Sequence, residues 1–304
     1  MKLAWISRKG SVGKTTTAVN LAANLAGRAR KVLLIDLDDQ ASASLSLGVQ
    51  RRHLAPSVAD LLLRGLPTVQ AVRETSVENL FLITGSVDLG SLEDELGGGK
   101  RPEHCLKSHL LSLESDFDDI LLDCPAGLGL LPRAALMAAD AYAVGVTPQF
   151  LVLDGLGNFL DRLERLRFRL SSEARLLGLL LTQVDYRTRT TRPYVEQIRD
   201  QFGEAVFDGE VRINVRLAEA PSYGQTIFQY APDSSGAASY RQLADEILNR
   251  FESTRDERPR RAPEPDSAPG TRLAPRRTSV PSAAVANVRF SPGQHRSLAH
   301  VREV

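Results

Sequence analysis

The chain has 304 residues, 42% of them hydrophobic and 25% charged, which suits an ordinary globular protein of one large domain or two small ones. Its formal net charge of +1 excludes a strong overall electric field, so any nucleic-acid binding must come from a local basic patch. Its two isolated cysteines exclude a disulfide framework. No apolar run approaches the roughly 20 residues of a membrane span. The low cysteine content and the lack of such a run predict a cytoplasmic protein.

The first predicted elements are an apolar strand at residues 3–6, a glycine-containing loop, and a helix whose apolar spacing covers residues 17–26. This order is typical of a phosphate-binding loop, because the loop N–H groups and the positive end of the helix dipole converge on the phosphates. We expect Lys14 to reach the β- and γ-phosphates of a nucleotide and the Thr15 hydroxyl to bind Mg²⁺. The loop residues predicted to contact the nucleotide are Gly10, Ser11, Val12, Gly13, Lys14, Thr15 and Thr16.

Two of the next three predicted strands end in carboxylates. Asp38 comes just after the strand at residues 32–37, and Asp123 ends the strand Asp119–Asp123; the strand Leu80–Ile83 lies between them in the chain. Ligands of α/β folds bind at the carboxyl ends of the strands, so Asp123 would hold Mg²⁺ through water and Asp38 would position the attacking water. The predicted magnesium-site residues are Thr15, Asp38 and Asp123, and the predicted catalytic residues are Lys9, Lys14 and Asp38.

Further strands are predicted at residues 141–147 and 176–182, with a short edge strand at 206–207 and a last helix at 237–251. Apolar strands that alternate with helices predict an α/β fold with a doubly wound, mostly parallel sheet. We expect one P-loop ATPase domain over residues 1–253. Residues 254–304 are rich in Arg, Pro, Ser and Ala and predict a disordered tail, either a solubilising extension or an auxiliary contact to DNA or a partner.

Residues 186–192 predict a loop in which Arg187, Arg189 and Arg192 stand among small hydroxyl residues. Such arginines suit contacts to DNA phosphates, which position a protein without reading sequence. A solvated surface loop is the alternative.

Four segments, in the same order as in the family, resemble the ParA family of partitioning ATPases within the MinD/ParA superfamily, and the likeness runs from the first residue to about Phe251. They are residues 9–17 (family K-G-G-V-G-K-T-T-T), 32–40 (V-L-L-I-D-x-D-P-Q), 123–131 (D-C-P-P-S-L-G-L-L) and 214–224 (N-V-R-L-S-E-A-P-S-x-G). The chain departs from these patterns at Ser11, Asp39, Ala126, Gly127 and Ala218. Its phosphate-binding loop resembles the deviant Walker A type, which carries an additional early lysine, here Lys9.

The resemblance implies a homodimer that encloses ATP and Mg²⁺ between its subunits. In it Lys9 would touch the partner's phosphates, Asp38 would support hydrolysis, and Asp123 would support Mg²⁺. Asn214 would join the nucleotide-binding residues. The family pattern before it is typically I-P-R-N, whereas this chain has Val211, Arg212 and Ile213 there.

The resemblance also implies an ATP-dependent positioning protein of the cytoplasm, associated with the nucleoid. The ATP-bound dimer would bind double-stranded DNA without sequence preference, through Arg187, Arg189, Arg192 and Arg216. A ParB-like or other adaptor would stimulate slow hydrolysis, and the cargo would be a chromosome, a plasmid or another large assembly.

Two alternatives follow from related protein groups. A MinD-like membrane ATPase would end in an amphipathic helix, but residues 291–304 offer no wide apolar face, and no membrane contact is expected. A relative of the nitrogenase iron protein would need cluster cysteines, and Cys124 lies instead within the family-like segment of residues 123–131.

Overall fold

The computed structural model describes residues 1–96 and 101–256. Within them one sheet has the strand order β3-β4-β2-β5-β1-β6-β7-β8, and all neighbouring pairs are parallel except β3 with β4. The strands are β1 (Lys2–Ile6), β2 (Val32–Asp36), β3 (Arg73–Glu74), β4 (Leu80–Ile83), β5 (Asp119–Asp123), β6 (Ala141–Val146), β7 (Arg175–Val184) and β8 (Val206–Arg212). The predicted α/β class with a mostly parallel sheet is confirmed.

Helices connect the strands and cover the sheet. They are α1 (Lys14–Ala26), α2 (Ser42–Ser46), α3 (Val58–Arg64), α4 (Leu92–Leu96), α5 (Lys107–Leu111), α6 (Leu130–Ala138), α7 (Phe150–Leu170), α8 (Thr191–Phe202), α9 (Val215–Glu219), α10 (Ile227–Tyr230) and α11 (Ser235–Asp256). None of the helices in the described part of the chain is long and apolar enough to cross a membrane.

Strand β2 shows why the central strands are apolar throughout. Leu33 and Ile35 belong to the core on one face of the sheet, whereas Val32 and Leu34 belong to the core on the other face. Successive side chains of a strand point to opposite faces, so a strand with helices on both sides needs apolar residues at every position. The uninterrupted apolar runs in the sequence therefore mark the buried centre of the sheet.

Several elements differ from the predicted ones, and the strand predicted at 176–182 runs from Arg175 to Val184. The predicted edge strand at 206–207 continues to Arg212, so Val211 and Arg212, which come shortly before Asn214, belong to a strand. Strand β3 was not predicted, because its two residues depend on pairing with β4. Arg192 lies in the first turn of α8 and not in a loop. Helix α11 continues to Asp256, into the range predicted as tail, and the rest of that range, residues 257–304, lies outside the described residues.

Candidate functional site

The loop between β1 and α1 has a backbone held by hydroxyl groups. Ser7 Oγ donates to the carbonyl of Lys9 at 2.8 Å, and Thr17 Oγ1 donates to the carbonyl of Gly13 at 2.8 Å. Ser11 and Gly13 adopt left-handed backbone angles, with φ of 59° and 71°. The predicted strand, loop and helix are thus present, with Lys14 as the first residue of α1.

Strand β7 holds the same loop from the side, a role that was not predicted from the sequence. Thr182 Oγ1 donates to the carbonyl of Val12 at 2.8 Å, and Gln183 Nε2 donates to the carbonyl of Ser11 at 2.7 Å. The sequence feature that could have indicated this contact is a pair of polar residues at the end of an otherwise apolar strand. The loop is therefore shaped by contacts about 170 residues away in the chain.

Ser11 is expected to reduce the stability of the loop. The left-handed region costs a residue with a Cβ atom about 1–2 kcal/mol, although glycine loses more chain entropy on folding. Ser11→Gly should therefore raise the free energy of unfolding in urea by about 0.5–1 kcal/mol.

Gly13→Ala is the opposite change at the neighbouring left-handed position. A Cβ atom there would meet Thr182 Cβ at an ordinary 3.7 Å, so the backbone angle dominates and stability should fall by about 1 kcal/mol. A Ser11→Gly protein less stable than the unaltered chain would show that the Ser11 side chain stabilises the loop.

Lys14 and Asp123 form a buried pair at the centre of the site. Lys14 Nζ lies 3.5 Å from Asp123 Oδ1, and the side chains are 7% and 0% exposed. Burial raises the pKa of the Asp123 carboxyl, and the charge of Lys14 opposes that rise. No donor among the described residues makes a well-aligned hydrogen bond to either Asp123 oxygen, although Thr15 and Lys14 lie close enough to favour the charged form. These oxygens could therefore accept bonds from a hydrated cation.

Asp36, at the end of β2, fixes the loop that carries Asp38. Its carboxylate accepts hydrogen bonds from Ser44 N at 2.8 Å, from Ser44 Oγ at 2.7 Å and from Asp38 N at 3.2 Å. Burial, together with the nearby charge of Asp123, raises the pKa of Asp36 to about 7. At Gly85 a Cβ atom would lie 2.6 Å from the carbonyl oxygen of Asp38, so only glycine permits this close approach. The structural role of Asp36 was not predicted.

The structure brings the predicted magnesium-site residues together. Thr15 and Asp38 are both close enough to Asp123 to influence its pKa. Asp38 is half-buried, and its Oδ1 accepts a hydrogen bond from Gln40 N at 3.0 Å. A hydroxyl and two carboxylates are oxygen ligands, which Mg²⁺ prefers, so the residues fit that ion.

Lys9 has an exposed side chain on the outside of the loop. The residue before it, Arg8, extends over α7 so closely that a Cβ atom at Gly155 would lie 1.4 Å from Arg8 Nη1. Arg8 and Lys9 both border a small cavity beside α7, and the exposed Lys9 remains accessible to a second molecule.

A cavity of about 300 Å³ lies beside the loop. Its lining residues come from the loop and α1, from the ends of β7 and β8, and from α9 and α11; they include Gly13, Thr16, Thr182, Gln183, Ile213, Asn214 and Tyr240. Asn214 faces the cavity, but its amide group already has partners: Oδ1 caps α9 by accepting from Arg216 N at 2.9 Å, and Nδ2 donates to Ser235 Oγ at 2.9 Å. Asn214 therefore shapes the cavity wall.

The four arginines predicted to bind DNA are exposed, and most already have partners. Arg187 pairs with Asp185 at 2.7 Å, and the Arg192 guanidinium lies 5.4 Å from the centre of the Tyr186 ring. Arg216 belongs to a separate cluster, in which it pairs with Glu219 at 3.0 Å and lies over Tyr230. Arg189 is exposed at the end of the same loop as Arg187.

Comparison with known proteins gives three kinds of likeness. Residues 1–176 match a family model described as an AAA domain. The chromosome-partitioning ATPase Soj of Thermus thermophilus is 41% identical over 251 residues, which are 83% of this chain and 96% of that protein. The chromosome partitioning protein ParA of Caulobacter vibrioides is 35% identical over 250 residues, 82% of this chain and 94% of that protein. A similar solved structure is that of cobyrinic acid a,c-diamide synthase from Mycobacterium smegmatis with bound ATP analog and magnesium. Its TM-score is 0.74 at 30% identity, and the matched region covers 83% of this chain and 96% of that protein chain.

Proposed function

The chain belongs to the AAA-domain family and, within it, to the Soj/ParA group of P-loop ATPases, and from this we propose that it positions a large cargo by cycles of ATP binding and hydrolysis. ATP and Mg²⁺ are its cofactors. The proposal rests chiefly on the buried pair formed by Lys14, the first residue of α1, and Asp123 of β5, whose oxygens have no well-aligned donor within residues 1–96 and 101–256.

Each residue of the site has a role in this proposal. Thr15, Asp38 and Asp123 hold Mg²⁺, and the bound ion neutralises charge on the phosphates. Lys14 binds the β- and γ-phosphates, and the loop N–H groups and the start of α1 surround them. Asp38 orients the attacking water, and Asp36 keeps the Asp38 loop in position. Such a site supplies positioned charge rather than covalent chemistry.

The nucleoside occupies the cavity bounded by Thr16, Gln183 and Asn214. Lys9 of each subunit contacts the nucleotide of the other, so ATP produces a homodimer. An adaptor stimulates the otherwise slow hydrolysis and so returns the protein to monomers. The cargo is a chromosome, a plasmid or another large assembly.

The dimer associates with the nucleoid by binding double-stranded DNA through Arg187, Arg189, Arg192 and Arg216. Dimerisation doubles the phosphate contacts that one particle can make, so binding should require ATP and should weaken steeply with salt. The expected slope is roughly 0.9 log units of affinity per log unit of salt for each phosphate neutralised.

Reversal of charge at Arg189 or Arg216 is expected to weaken DNA binding. Arg189→Glu and Arg216→Glu should each lower the affinity for unrelated duplexes equally, because phosphate contacts carry no base information. Each should also reduce the salt slope by about 1. Filter binding with and without ATP would measure both effects.

Arg52→Glu is the matched control, since Arg52 is an exposed arginine that is not among the proposed DNA contacts. A chain that ends at Asp256, the last residue of α11, removes the arginines beyond it. If that shortened chain shows no ATP-dependent retention of DNA at low salt, the positioning model fails.

A further inference from the structure

An open groove of about 830 Å³ runs between α6 and the C-terminal half of α7, and it shares no residue with the nucleotide site. We call this surface the arginine groove; it is formed by Leu128, Arg133, Arg162, Arg165, Phe168 and Arg169. Its position on α7 separates it from Gly155, where the same helix meets the phosphate-binding loop. A ligand in the groove would therefore leave the nucleotide site open.

The groove has an excess of positive charge. Arg162, Arg165 and Arg169 follow one another at spacings of three and four on α7, and none of them makes an ion pair with a described residue. Like charges at these spacings repel, and although Asp161 stands four residues before Arg165, a negatively charged partner would reduce the remaining repulsion as well as gain contacts. The carboxylate that lines the groove, Glu164, is neutralised by Arg167 at 2.8 Å and accepts a hydrogen bond from the Tyr142 hydroxyl.

The groove also exposes apolar surface. The Phe168 side chain is 83% exposed, which is unusual for a large aromatic ring, and Leu128 and the buried Leu166 lie in the same groove. Arginine and aromatic residues together are enriched at protein–protein interfaces, where guanidinium groups bind carboxylates in a bidentate manner. A ligand that matches this surface must carry carboxylates beside an apolar side chain.

We propose that the arginine groove docks a short acidic, amphipathic segment of a partner protein. Carboxylates of that segment pair with Arg162, Arg165 and Arg169, and an apolar side chain packs against Phe168. The proposal concerns a second surface and does not depend on the roles assigned to the nucleotide site.

Other occupants match the groove less well. The arginine-rich residues beyond 256 carry the same sign of charge as the groove. A second copy that docked through a two-fold axis would bring the positively charged groove of one subunit against the same groove of the other. DNA phosphates would pair with the arginines but would leave Phe168 and Leu128 without an apolar partner. An anionic membrane would receive one large exposed apolar side chain, Phe168, because Leu163 and Leu166 of the same helix are buried in the core.

Fluorescence anisotropy with the full chain tests the proposal. The probe is a short fluorescein-labelled helical peptide of Glu, Ala, Leu and Phe with one acidic and one apolar face. Arg165→Glu/Arg169→Glu should weaken its binding by about tenfold or more, because two charge-assisted contacts become repulsive. Phe168→Ala should weaken it several-fold, and since that side chain is exposed, the variant should fold normally.

Two controls complete the experiment. Arg52→Glu retains every groove residue and should bind the peptide as the unaltered chain does, and a peptide with Lys in place of Glu should not bind. The proposal is overturned if the unaltered chain does not bind the acidic peptide, or if the double variant binds it equally well. If the double variant keeps its peptide affinity but loses affinity for a DNA duplex or for phosphatidylglycerol vesicles, the groove binds DNA or an anionic membrane instead, and the proposal is overturned.

Discussion

Lys14→Ala is expected to abolish nucleotide binding. The ammonium group is the charge at the start of α1 that can reach the phosphates, and contacts of this kind contribute up to about 3 kcal/mol, or roughly a hundredfold in affinity. Titration with a fluorescent ATP analogue would measure the loss. Unchanged affinity in Lys14→Ala would contradict the assignment of a phosphate-binding loop.

The same substitution is expected to destabilise the nucleotide-free protein. It leaves the fully buried Asp123 carboxylate without its counter-charge 3.5 Å away, and removal of one partner from a buried pair costs about 3–5 kcal/mol. Urea unfolding would show the loss of stability. A binding defect could then reflect partial unfolding, so a second variant is needed.

Lys14→Ala/Asp123→Asn separates the two effects. Asparagine removes the uncompensated charge, so stability should largely return, whereas nucleotide binding should remain lost. Lys107→Ala, at an exposed lysine outside the site, should change neither property. A double variant that regains both stability and ATP binding would mean that Lys14 acts only through the fold.

Lys9→Ala and Asp38→Ala are expected to have opposite effects on assembly. Two nucleotides that face each other across the proposed dimer interface would bring like charges together, and the exposed Lys9 would neutralise them. Lys9→Ala should therefore remain monomeric with ATP. Asp38→Ala should accumulate as an ATP-bound dimer, because loss of a residue that orients the attacking water slows turnover by about a hundredfold or more.

Light scattering with ATP, together with phosphate release, would measure both variants. Lys107→Ala again provides a control for the loss of one surface charge. A Lys9→Ala protein that dimerises normally would reduce Lys9 to a solvated loop residue. An Asp38→Ala protein with full turnover would assign the orientation of water to another group.

The sequence by itself determined the strand, loop and helix at the start of the chain, the succession of buried strands along the chain, and the carboxylates Asp38 and Asp123 at or just after two strand ends. These features are readable because they are local. A strand, a loop and a helix follow one another within 26 residues, and a parallel strand with helices on both faces must be apolar along its whole length. The edges of the sheet were less readable, since β3 exists only through pairing with β4.

Only the tertiary structure decided how the site is held in place. Gln183 reaches Ser11 across 172 positions, and Gly85 lies next to Asp36 and Asp38 only because β4 is the neighbour of β2 in the sheet. The arginine groove likewise combines Arg133 of α6 with Arg165 of α7, a helix face that looks like an ordinary solvated surface in the sequence. Spacing along a chain reports which residues share an element, whereas the packing of elements selects which residues from different elements meet.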